Sequence, residues 1–577
     1  MPPTRGYHHS MRGLGRLVRA VGSVLVLLTL AAPASAAEVR FGDGGWCWFQ
    51  DPRAVTHAGA HTRTYVGWVT PAGDVTVGSY DHATKQTTSF VLHAALQRDD
   101  HVSPALHVRP DGRLTAFYAR HSGAPFYYRT TTNPEDVTSW GPAQTIDTNT
   151  PGAHGFTYPN PVRLAAEDRT YLFWRGGDLD PTFSTQDDGE TGWADARSLM
   201  HVPGDQPGYR TERPYVKYAS DGQDTIHFAY TNAHPSEAPD VNIYYGRIRA
   251  GRVERADGTD LSALGTPIAP TEAEVVFDAP GPTWIHDVAV GADGRPVVVF
   301  ASFPTGTSAT GHVYHYARWT GASWEVSVIT PAGGSISTGG RSPLYSGGIT
   351  LDHQDPSSLY LSRQVGGAWW VEAWNTPDGG RSWATRTLTP GSTAKNMRPL
   401  SPRGDEPNGE MVVWMNGAYP DYNNLETTVT SFIEDPPPPI FSPPPAAAEG
   451  QPSPGTPSVS TPPDPDTRTA RVRLGSAAIR IGQRGGGRLT IHCTAVAGDH
   501  CRIVGSIRHR RARIGSVSGV VRGAKRGTLP VRLTRKGLVR LRRARKLGAV
   551  LVAQSTSLSG RRSRVGGPAR LRFRAGR

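Results

Sequence analysis

Cysteine is scarce in this sequence, because its 577 residues contain only three. A chain of this length with so few cysteines is not built around disulfide bonds. Cys493 and Cys501 are close enough in sequence to pair in an oxidising compartment, and we predict a disulfide there. Cys47 is left over in the aromatic stretch "GGWCWFQDPR", where we expect a buried, unreactive thiol rather than a metal ligand or a nucleophile.

Long apolar runs are missing after the first 36 residues. Arg12, Arg16 and Arg19 precede an apolar run over residues 20–32, which is followed by the small residues Ala34-Ser35-Ala36. This pattern is typical of a secretory signal peptide cleaved near Ala36, and the run is shorter than the about 20 residues that span a membrane. The sequence therefore predicts a secreted protein with no integral membrane segment.

Acidic residues are almost absent from the C-terminal part. Residues 468–577 contain 29 Lys and Arg but one acid, Asp499, whereas the rest of the chain has 33 bases and 48 acids. A nucleic-acid partner would depend on this tail alone, and an exported protein rarely meets nucleic acid. We expect the tail to have one of two roles. It either holds an anionic polymer, such as one of the cell envelope or an acidic ligand of the rest of the protein, or it acts only as a solubilising module.

Amphipathic helical periodicity is also lacking between residues 38 and 435. A polar turn followed by an apolar strand recurs there seven times, as "AGDVTVGSY", "DGRLTAFYA", "EDRTYLFWR", "DGQDTIHFAY", "DGRPVVVFAS", "QDPSSLYLSR" and "PNGEMVVWM". Two aspartate-box turns, "TQDDGETGW" and "NTPDGGRSW", accompany these units and are typical of propeller blades. Seven units of this kind predict an all-β fold, a seven-bladed β-propeller.

These features divide the chain into four predicted parts. They are a signal peptide (1–36), a catalytic propeller (37–434), a Pro-rich linker (435–466) and a basic, β-sandwich-like domain (467–577). Within the last part, "TRKGLVRLRRARKL" fits a basic helix equally well. We expect the protein to be a monomer.

Two histidines are placed symmetrically about a turn in "RDDHVSPALHVRPDGRLTAFYARHSG". The segments on either side of Asp111-Gly112 alternate as strands do, and Asp-Gly favours a hairpin. A register symmetric about Asp111 would bring His101 and His121 together at the open end of the hairpin, with Cβ atoms about 5 Å apart. Asp99 and Asp100 could cap the loop, orient His101 or bind a cation.

The next two predicted hairpins present polar side chains at equivalent ends. In "TYPNPVRLAAEDRTYLFWRGG", Tyr158 and Arg175 are equidistant from the turn, and around Asp221-Gly222 the corresponding residues are Arg213, Tyr215 and His234. Equivalent ends of inner hairpins converge at the central channel of a propeller, where ligand sites form. Tyr158 could instead pack only against a turn, and Arg175 could pair only with Asp178.

This set of residues suits β-elimination at a uronic acid. The reaction must neutralise a carboxylate, remove the adjacent proton and protonate the departing glycosidic oxygen. Arginine supplies a fixed bidentate charge, histidine can be a base near neutral pH, and tyrosine can donate or accept a proton. Two adjacent histidines resist being charged together, so one can stay neutral while the other is protonated.

Ordered motifs over roughly residues 40–432 carry a family resemblance: "GWCWFQDPRAV", "RDDHVSPAL", "FYARHSG", "FTYPNPVRL", "YLFWRGG", "ERPYVKY" and "YSGGITLD". They resemble the BNR-repeat secreted proteins that include ulvan lyases and rhamnose–glucuronate lyases. The resemblance implies a seven-bladed propeller in which His101, His121, Tyr158 and Arg175 are catalytic. It also implies syn-elimination at a 4-linked glucuronate or iduronate, with rhamnose–glucuronate linkages as one possible target. No cofactor would be required for the chemistry, although some relatives hold a structural divalent cation, calcium or zinc.

Arg53, Arg213, Tyr215 and His234 are candidates for substrate contact, with structural hydrogen bonding as the alternative for each. Two other functions remain open. A sialidase-like glycoside hydrolase would need an arginine triad, for which Arg53, Arg213 and Arg398 are the available residues. A carbohydrate-binding propeller without catalysis would need no such set.

Overall fold

The computed structural model describes residues 37–146, 156–176, 179–202, 213–238, 241–278, 281–304, 306, 308–405 and 410–434, with strands and one helix between 472 and 573. The predicted signal peptide and Pro-rich linker lie outside these described residues. The chain divides into two compact units, the first ending at Pro445 and the second starting at Ala446.

Short strands separated by turns build the first unit. The described part of the chain starts with β1 (Ala37–Asp43), which belongs to the last sheet. Blade 1 contains β2 (Ala54–Ala58), β3 (Thr62–Val69), β4 (Val75–Asp81) and β5 (Thr87–His93). Blade 2 contains β6 (Ala105–Val108), β7 (Leu114–Ala119), β8 (Phe126–Thr130) and β9 (Gln144–Ile146). Blade 3 contains β10 (Thr157–Leu164), β11 (Arg169–Arg175), β12 (Pro181–Asp187) and β13 (Arg197–Ser198).

The remaining four sheets follow in chain order. Blade 4 contains β14 (Tyr215–Ser220), β15 (Thr225–Thr231), β16 (Ile243–Arg249), β17 (Arg252–Glu254), β18 (Asp260–Ala263) and β19 (Glu274–Phe277). Blade 5 contains β20 (Thr283–Val290), β21 (Pro296–Ser302), β22 (Thr310–Trp319) and β23 (Trp324–Gly334). Blade 6 contains β24 (Ile349–Leu351), β25 (Ser358–Val365), β26 (Ala368–Asn375) and β27 (Ala384–Thr387). Blade 7 combines β1 with β28 (Lys395–Leu400), β30 (Glu410–Asp421) and β31 (Asn424–Glu434), while β29 (Arg403–Gly404) pairs with β2 of blade 1.

The two ends of the unit close the ring. Strand β1 runs antiparallel to β31, with Val39 opposite Ser431, so the first strand of the unit completes the last blade. This pairing covers edge groups that an open sheet would expose. Each of the seven repeated turn-and-strand units falls in a different sheet, which confirms the predicted seven-bladed propeller.

The hairpin registers match their predicted centres, with one irregularity. Ala105 lies opposite Phe117 and Val108 opposite Leu114, so β6 and β7 pair symmetrically about Asp111. In β10 and β11 the predicted register holds from Asn160 onward, but a bulge shifts the end, and Arg175 lies opposite Thr157. The bulge changes how this hairpin presents its terminal side chains.

The segment "GGWCWFQDPR" fills the middle of the propeller. Its residues from 45 to 51 are buried, and Cys47 is a buried free thiol as predicted. Its groups contact several blades: Trp48 Nε1 donates to the Ile285 carbonyl of blade 5, and Asn160 of blade 3 donates to the Phe49 carbonyl. We call residues 45–53 the channel segment.

A cluster of buried charges lies at the end of the channel segment. The Lys217 ammonium donates to the carboxylate of Asp51, and Arg403 lies 3.2 Å from carboxylate oxygens of both Asp51 and Asp287. Burial alone would raise the pKa of the Asp287 carboxyl, but the facing cations hold it well below its usual range. These residues belong to different blades, so their pairing joins distant parts of the ring.

The second unit is a β-rich body with one helix. Its strands are β32 (Val472–Leu474), β33 (Ala478–Ile481), β34 (Gly486–Cys493), β35 (His500–His509), β36 (Ala512–Arg522), β37 (Arg526–Leu533), β38 (Lys546–Thr556) and β39 (Arg562–Phe573). They form one sheet that the pairing of β34 with β37 closes on itself. The helix α1 (Arg535–Ala544) occupies the stretch for which a basic helix was an alternative. The side chains of Cys493 and Cys501 lie outside the described residues, so their disulfide stays a prediction.

Helix α1 buries Leu541 and exposes Arg540, Arg542 and Arg543. No helix within the described residues is long and apolar enough to cross a membrane.

The buried charge cluster yields a stability prediction. The change Arg403→Met removes the cation that faces Asp51 and Asp287, and removing one partner of a buried pair typically costs about 3–5 kcal/mol. We expect the free energy of unfolding, measured by urea denaturation, to fall by about 3 kcal/mol. The matched control is Arg381→Met, because Arg381 pairs with Glu325 at the exposed surface and should contribute at most about 1 kcal/mol. Equal losses in the two variants would contradict a special role for the cluster.

Candidate active site

The strand ends of blades 2, 3 and 4 bring the predicted side chains together. His101 lies in a 3-10 helix (Asp100–Val102) before β6, and His121 follows β7. Tyr158 is at the start of β10, and Arg175 is the last residue of β11. Contacts between the aromatic rings, and between the Tyr158 ring and the Arg175 guanidinium, place these four side chains next to one another.

The two histidines form a stacked pair. Their ring centroids are 3.9 Å apart and their planes differ by 6°. His101 is buried, and the His121 side chain is 25% exposed, so His121 is the more accessible of the two. The predicted approach of the two side chains is therefore found, although strand pairing ends at Ala105 and does not itself produce it.

Asp99 is the residue that aligns the pair. One carboxylate oxygen lies 2.5 Å from Nδ1 of His101, and the other lies 2.8 Å from Nδ1 of His121. The same carboxylate accepts a hydrogen bond from the backbone N–H of His101 at 3.0 Å. Asp99 thus caps the loop and orients the ring at once, which were two of its three predicted roles. Both rings therefore direct Nε2 away from the carboxylate.

The stacked rings have opposite protonation tendencies. Burial lowers the pKa of His121 to about 4, and the charge of neighbouring His101 acts in the same direction. Burial alone would also lower the pKa of His101, but the ionisable groups around it, Tyr158 and Cys47 first and then Asp99 and Asp100, raise it well above its ordinary value. The two carboxylates lie 2.5 and 2.9 Å from its Nδ1. At neutral pH one ring is therefore charged and the other neutral, as the sequence predicts for adjacent histidines.

Tyr158 connects the histidines with the arginine. Its ring centroid is 5.6 Å from that of His101, and the Arg175 guanidinium carbon lies 4.7 Å from the centre of the same ring. The backbone at Tyr158 has a φ of +66°, a conformation that costs energy for a bulky residue, and it lies within the bulge of β10. Burial raises the pKa of Tyr158 well above its ordinary value, so the phenol keeps its proton.

Arg175 is a buried cation held by aromatic groups. Its Nη1 donates to the Tyr215 hydroxyl at 3.4 Å, while its buried Nε has no hydrogen-bond partner. Among the described residues, no carboxylate lies within ion-pair distance of it, and Asp178, the alternative partner, is outside that set. A buried charge without a counterion is unfavourable, which favours the binding of an anion at this position.

The residues of blade 4 that were predicted to contact the substrate also lie close together. Arg213 makes a bidentate pair with Glu237 at 2.7 and 2.8 Å, and its Nε donates to the Tyr215 hydroxyl at 3.0 Å. The His234 ring lies 5.5 Å from the Tyr215 ring, and burial lowers the pKa of His234 to about 3. Arg213, Tyr215 and His234 therefore lie together and continue the surface that starts at Arg175.

Arg53 does not join this set. Its Nε donates to Asp51 at 3.2 Å, which places it in the buried charge cluster of the channel segment. Arg398 likewise pairs with Asp100 at 2.5 Å, and Arg213 pairs with Glu237. Each of the three arginines that a sialidase-like triad would need is thus already bound to a different carboxylate.

Asp100 links the histidine pair to the propeller core. Its backbone carbonyl accepts from Cys47 N–H at 2.9 Å, and its carboxylate accepts from the Tyr419 hydroxyl at 2.6 Å as well as from Arg398. Gln50 of the channel segment donates to the His101 carbonyl at 2.6 Å. The loop that carries His101 is therefore fastened on both sides by buried groups.

Two overlapping sets of side chains have donor atoms close enough together to be considered for a metal ion. Donor atoms of Asp99, His101 and His121 lie within 4.8 Å of one another, as do those of Cys47, Asp100 and His101. Zinc favours such residue types. However, both oxygens of Asp99 already face imidazole nitrogens, and a guanidinium already balances Asp100. The contacts fit protons better than a divalent ion, so we derive no step through a metal, and the structural cation stays a prediction.

Three contributors to the site were not identified from the sequence. Glu237 holds Arg213, Trp284 packs edge-on against Tyr215, and Tyr422 lies edge-on to both histidine rings at 5.3 and 5.9 Å. Glu237 comes three residues after His234, and this local spacing could have indicated an acidic partner at the site. Tyr422 comes from the tip of the β30–β31 hairpin, about 300 residues away, and no sequence signal connects it with the histidines.

Comparisons with known proteins agree with this fold. Residues 63–331 match the family model described as a BNR repeat-containing family member, which confirms the predicted resemblance over that range. No curated protein matches the chain significantly. The chain is similar to a solved ulvan lyase of polysaccharide lyase family PL25 bound to -[GlcA(1-4)Rha3S]-, with 16% identity, a TM-score of 0.53, and coverage of 70% of this chain and 97% of the lyase. A second PL25 ulvan lyase structure gives 16% identity, a TM-score of 0.54 and the same coverage. These likenesses establish the shared propeller fold.

The stacked pair predicts distinct histidine titrations. Imidazole NMR over a pH series should show His121 becoming protonated only near pH 4, while His101 stays charged through neutral pH. The change Asp99→Asn removes a negative charge next to His101 and should lower its pKa toward the ordinary value. Asp111→Asn, which changes an exposed carboxylate at the far end of the same hairpin, is the matched control and should leave both titrations unaltered. Coincident titration of the two rings would contradict the assignment.

Proposed function

We propose that this protein is a polysaccharide lyase that cleaves uronate-containing glycans by β-elimination, with rhamnose–glucuronate linkages as one candidate target. The observation that carries the proposal is the buried Arg175 guanidinium, which has no carboxylate partner among the described residues and lies beside Tyr158, next to the stacked histidines. The propeller's likeness to an ulvan lyase bound to a glucuronate-rhamnose chain is consistent with it.

Arg175 is the group proposed to bind the uronate carboxylate. Its guanidinium lies between the aromatic faces of Tyr158 and Tyr215, at 4.7 and 5.9 Å from the ring centres. Neutralising the carboxylate makes the neighbouring carbon-bound proton more acidic, because the negative charge that develops on its removal spreads into that group. A planar fork of N–H donors matches a carboxylate better than an ammonium group would.

His121 is the proposed base. It is the more exposed ring of the pair and is neutral at physiological pH. Because its Nδ1 faces Asp99 at 2.8 Å, the proton of the neutral ring is placed on Nδ1, and Nε2 carries the lone pair. This nitrogen takes the proton from C5 of the uronate as the C4–C5 double bond forms.

Tyr158 is the proposed acid. Its phenol stays protonated and can give its proton to the glycosidic oxygen that leaves C4, while the charge of adjacent His101 stabilises the resulting phenolate. The C5–H and C4–O bonds break, the C4=C5 and O–H bonds form, and His121 holds the proton that was removed. Base and acid both contact His101, at ring distances of 3.9 and 5.6 Å, and syn-elimination requires the two groups on the same face of the sugar.

Arg213, Tyr215 and His234 are proposed to contact the substrate beyond the reacting sugar. Their ring contacts and ion pair fix a wall adjacent to Arg175. For Arg53, whose described contact is with Asp51, structural pairing is the role that the geometry favours. The substrate is thus an acidic polysaccharide or oligosaccharide, and the protein acts outside the cell after removal of the predicted signal peptide.

The basic second unit is proposed to bind anionic polymer. Residues 468–577 carry 29 bases against one acid, and helix α1 presents Arg540, Arg542 and Arg543 to solvent. A tethered contact of this kind increases the local concentration of an acidic substrate or retains the protein on an anionic cell envelope.

Two substitutions test the catalytic assignment. On ulvan, gum arabic and related glucuronans, the protein should generate the ultraviolet absorbance of an unsaturated uronate. His121→Ala and Tyr158→Phe should each lower kcat by about 10²-fold or more, because each removes a proton-transfer group. His61→Ala changes an exposed histidine away from the site and is the control for folding and purification.

Other outcomes separate the alternative functions. Release of reducing sugar without the unsaturated chromophore would favour a glycoside hydrolase. Glycan binding without turnover, unaffected by the two substitutions, would favour a carbohydrate-binding propeller.

The histidine titrations predict a pH profile. The proposed base must be neutral, so kcat/KM should fall as the pH is lowered through about 4, where His121 becomes protonated. On the alkaline side the rate should persist beyond the ordinary histidine range, because His101 keeps its charge there. Initial rates across a pH series at constant ionic strength measure both limits. An acidic limb near the ordinary histidine value of about 6.5 would argue that an unperturbed imidazole is the base.

A further inference from the structure

The tip of the β30–β31 hairpin forms the far border of the candidate active site. Tyr422 lies at this tip and directs the edge of its ring toward His101 and His121. Its carbonyl accepts a hydrogen bond from the backbone N–H of Asp100 at 2.8 Å, which fixes the tip beside the histidine loop. Tyr422 is therefore held in contact with both histidines by a backbone hydrogen bond.

Arg341 lies on the outer side of the Tyr422 ring. Its guanidinium carbon lies over the ring, 5.5 Å from the ring centre, so this cation contacts the tyrosine that contacts both histidines. Its Nη1 lies 3.2 Å from the carboxylate of Asp421, which is buried and also accepts from Tyr422 N–H at 2.6 Å. Asp421 thus holds the arginine and the tyrosine in one fixed arrangement.

The segment that carries Arg341 is attached to the same hairpin. Gly339 N–H and the Ser337 hydroxyl both donate to the Pro420 carbonyl, at 2.8 and 2.9 Å. The position of Arg341 at the rim is therefore set by the fold and not only by its ion pair.

Arg341 differs from the other arginines around the site in its exposure. The side chains of Arg213 and Arg398 are 1% exposed and pair with Glu237 and Asp100, whereas the Arg341 side chain is 59% exposed. Its ion pair with Asp421 uses one nitrogen, and a guanidinium has five N–H donors in total. Donors therefore remain for an anion arriving from solvent.

We propose that Arg341 and Tyr422 form a second anion-binding subsite, which recognises a carboxylate or a sulfate ester on the sugar next to the reacting uronate. This inference depends on the proposed lyase function for the identity of the reacting sugar. A polymer bound at Arg175 that extends past the histidines reaches Tyr422, which contacts both rings, and Arg341, which lies over Tyr422. Polymers with a charge on the neighbouring sugar would then be preferred over those without one.

The test compares Arg341→Gln with the unchanged protein on a matched pair of polymers, a sulfated uronate polysaccharide and its chemically desulfated form. If the anion is a sulfate ester, Arg341→Gln should raise KM about 10-fold on the sulfated polymer only, with kcat little changed, because a charge-assisted hydrogen bond is lost. If it is a carboxylate, KM should rise by a similar factor on both polymers. Arg341→Lys keeps the charge and should retain part of the preference.

Control variants separate recognition from misfolding. Arg381→Gln changes another exposed, ion-paired arginine outside the site and should leave KM unchanged. Asp421→Asn loosens the support of Arg341 while keeping its charge, so a smaller rise in KM is expected. A KM that changes less than 2-fold in Arg341→Gln on both polymers would overturn the proposal.

Binding measurements keep this test independent of the proposed reaction. In a His121→Ala background, calorimetry with sulfated and desulfated uronate oligosaccharides reports the subsite without turnover. An unchanged affinity after adding Arg341→Gln would refute the subsite even if the enzyme is a lyase. A lowered affinity together with no product from any polymer would support the subsite and contradict the lyase function.

Discussion

The arrangement of this propeller depends on keeping buried charges paired inside the central channel. Residues 45–53 bring aromatic side chains and Asp51 into the middle of the ring, where an isolated carboxylate would be strongly disfavoured. Lys217 and Arg403 come from other parts of the ring to balance it. The same channel segment contacts the histidine loop through Cys47 and Gln50. The packing that fills the channel therefore also sets the position of the candidate catalytic residues.

Charge balance explains why neighbouring aspartates have different roles. Asp100 directs one oxygen, Oδ2, to Arg398 and Tyr419 in the core, while its Oδ1 lies 2.9 Å from Nδ1 of His101. Asp99 turns toward the site, and its two oxygens each face one imidazole. Burial alone would raise the pKa of the Asp99 carboxyl, but the histidines outweigh burial and hold it well below its usual range. A permanently ionised carboxylate beneath two stacked rings can stabilise only one added proton well, which is why the rings differ in their protonation.

The sequence predicted the fold and the core of the site because both depend on local patterns. Turn-and-strand units define the blades, and the hairpin symmetric about Asp111 ends near both histidines, which Asp99 then aligns. Local symmetry is less informative where the backbone departs from ideal pairing: the bulge at Tyr158 keeps it beside Arg175 although the register shifts. Arg53 lies in a clear sequence motif, but the motif did not show that the guanidinium would pair with Asp51. Tyr422 could not be predicted, because only ring closure brings the tip of the last blade's hairpin to the loop before β6.

The distribution of counterions among the buried arginines favours a site for an acidic ligand. Arg53, Arg213 and Arg398 each have a carboxylate partner, so their charges are balanced within the protein. Arg175 instead contacts the faces of two tyrosines, which attract a cation but contribute less than a desolvated carboxylate would. In the proposed reaction, a carboxylate that enters beside Arg175 supplies a counterion that the described residues do not, and it arrives next to the proposed acid and base. Binding and proton abstraction would thereby be coupled, since the charge that improves binding also acidifies the proton that His121 is proposed to remove.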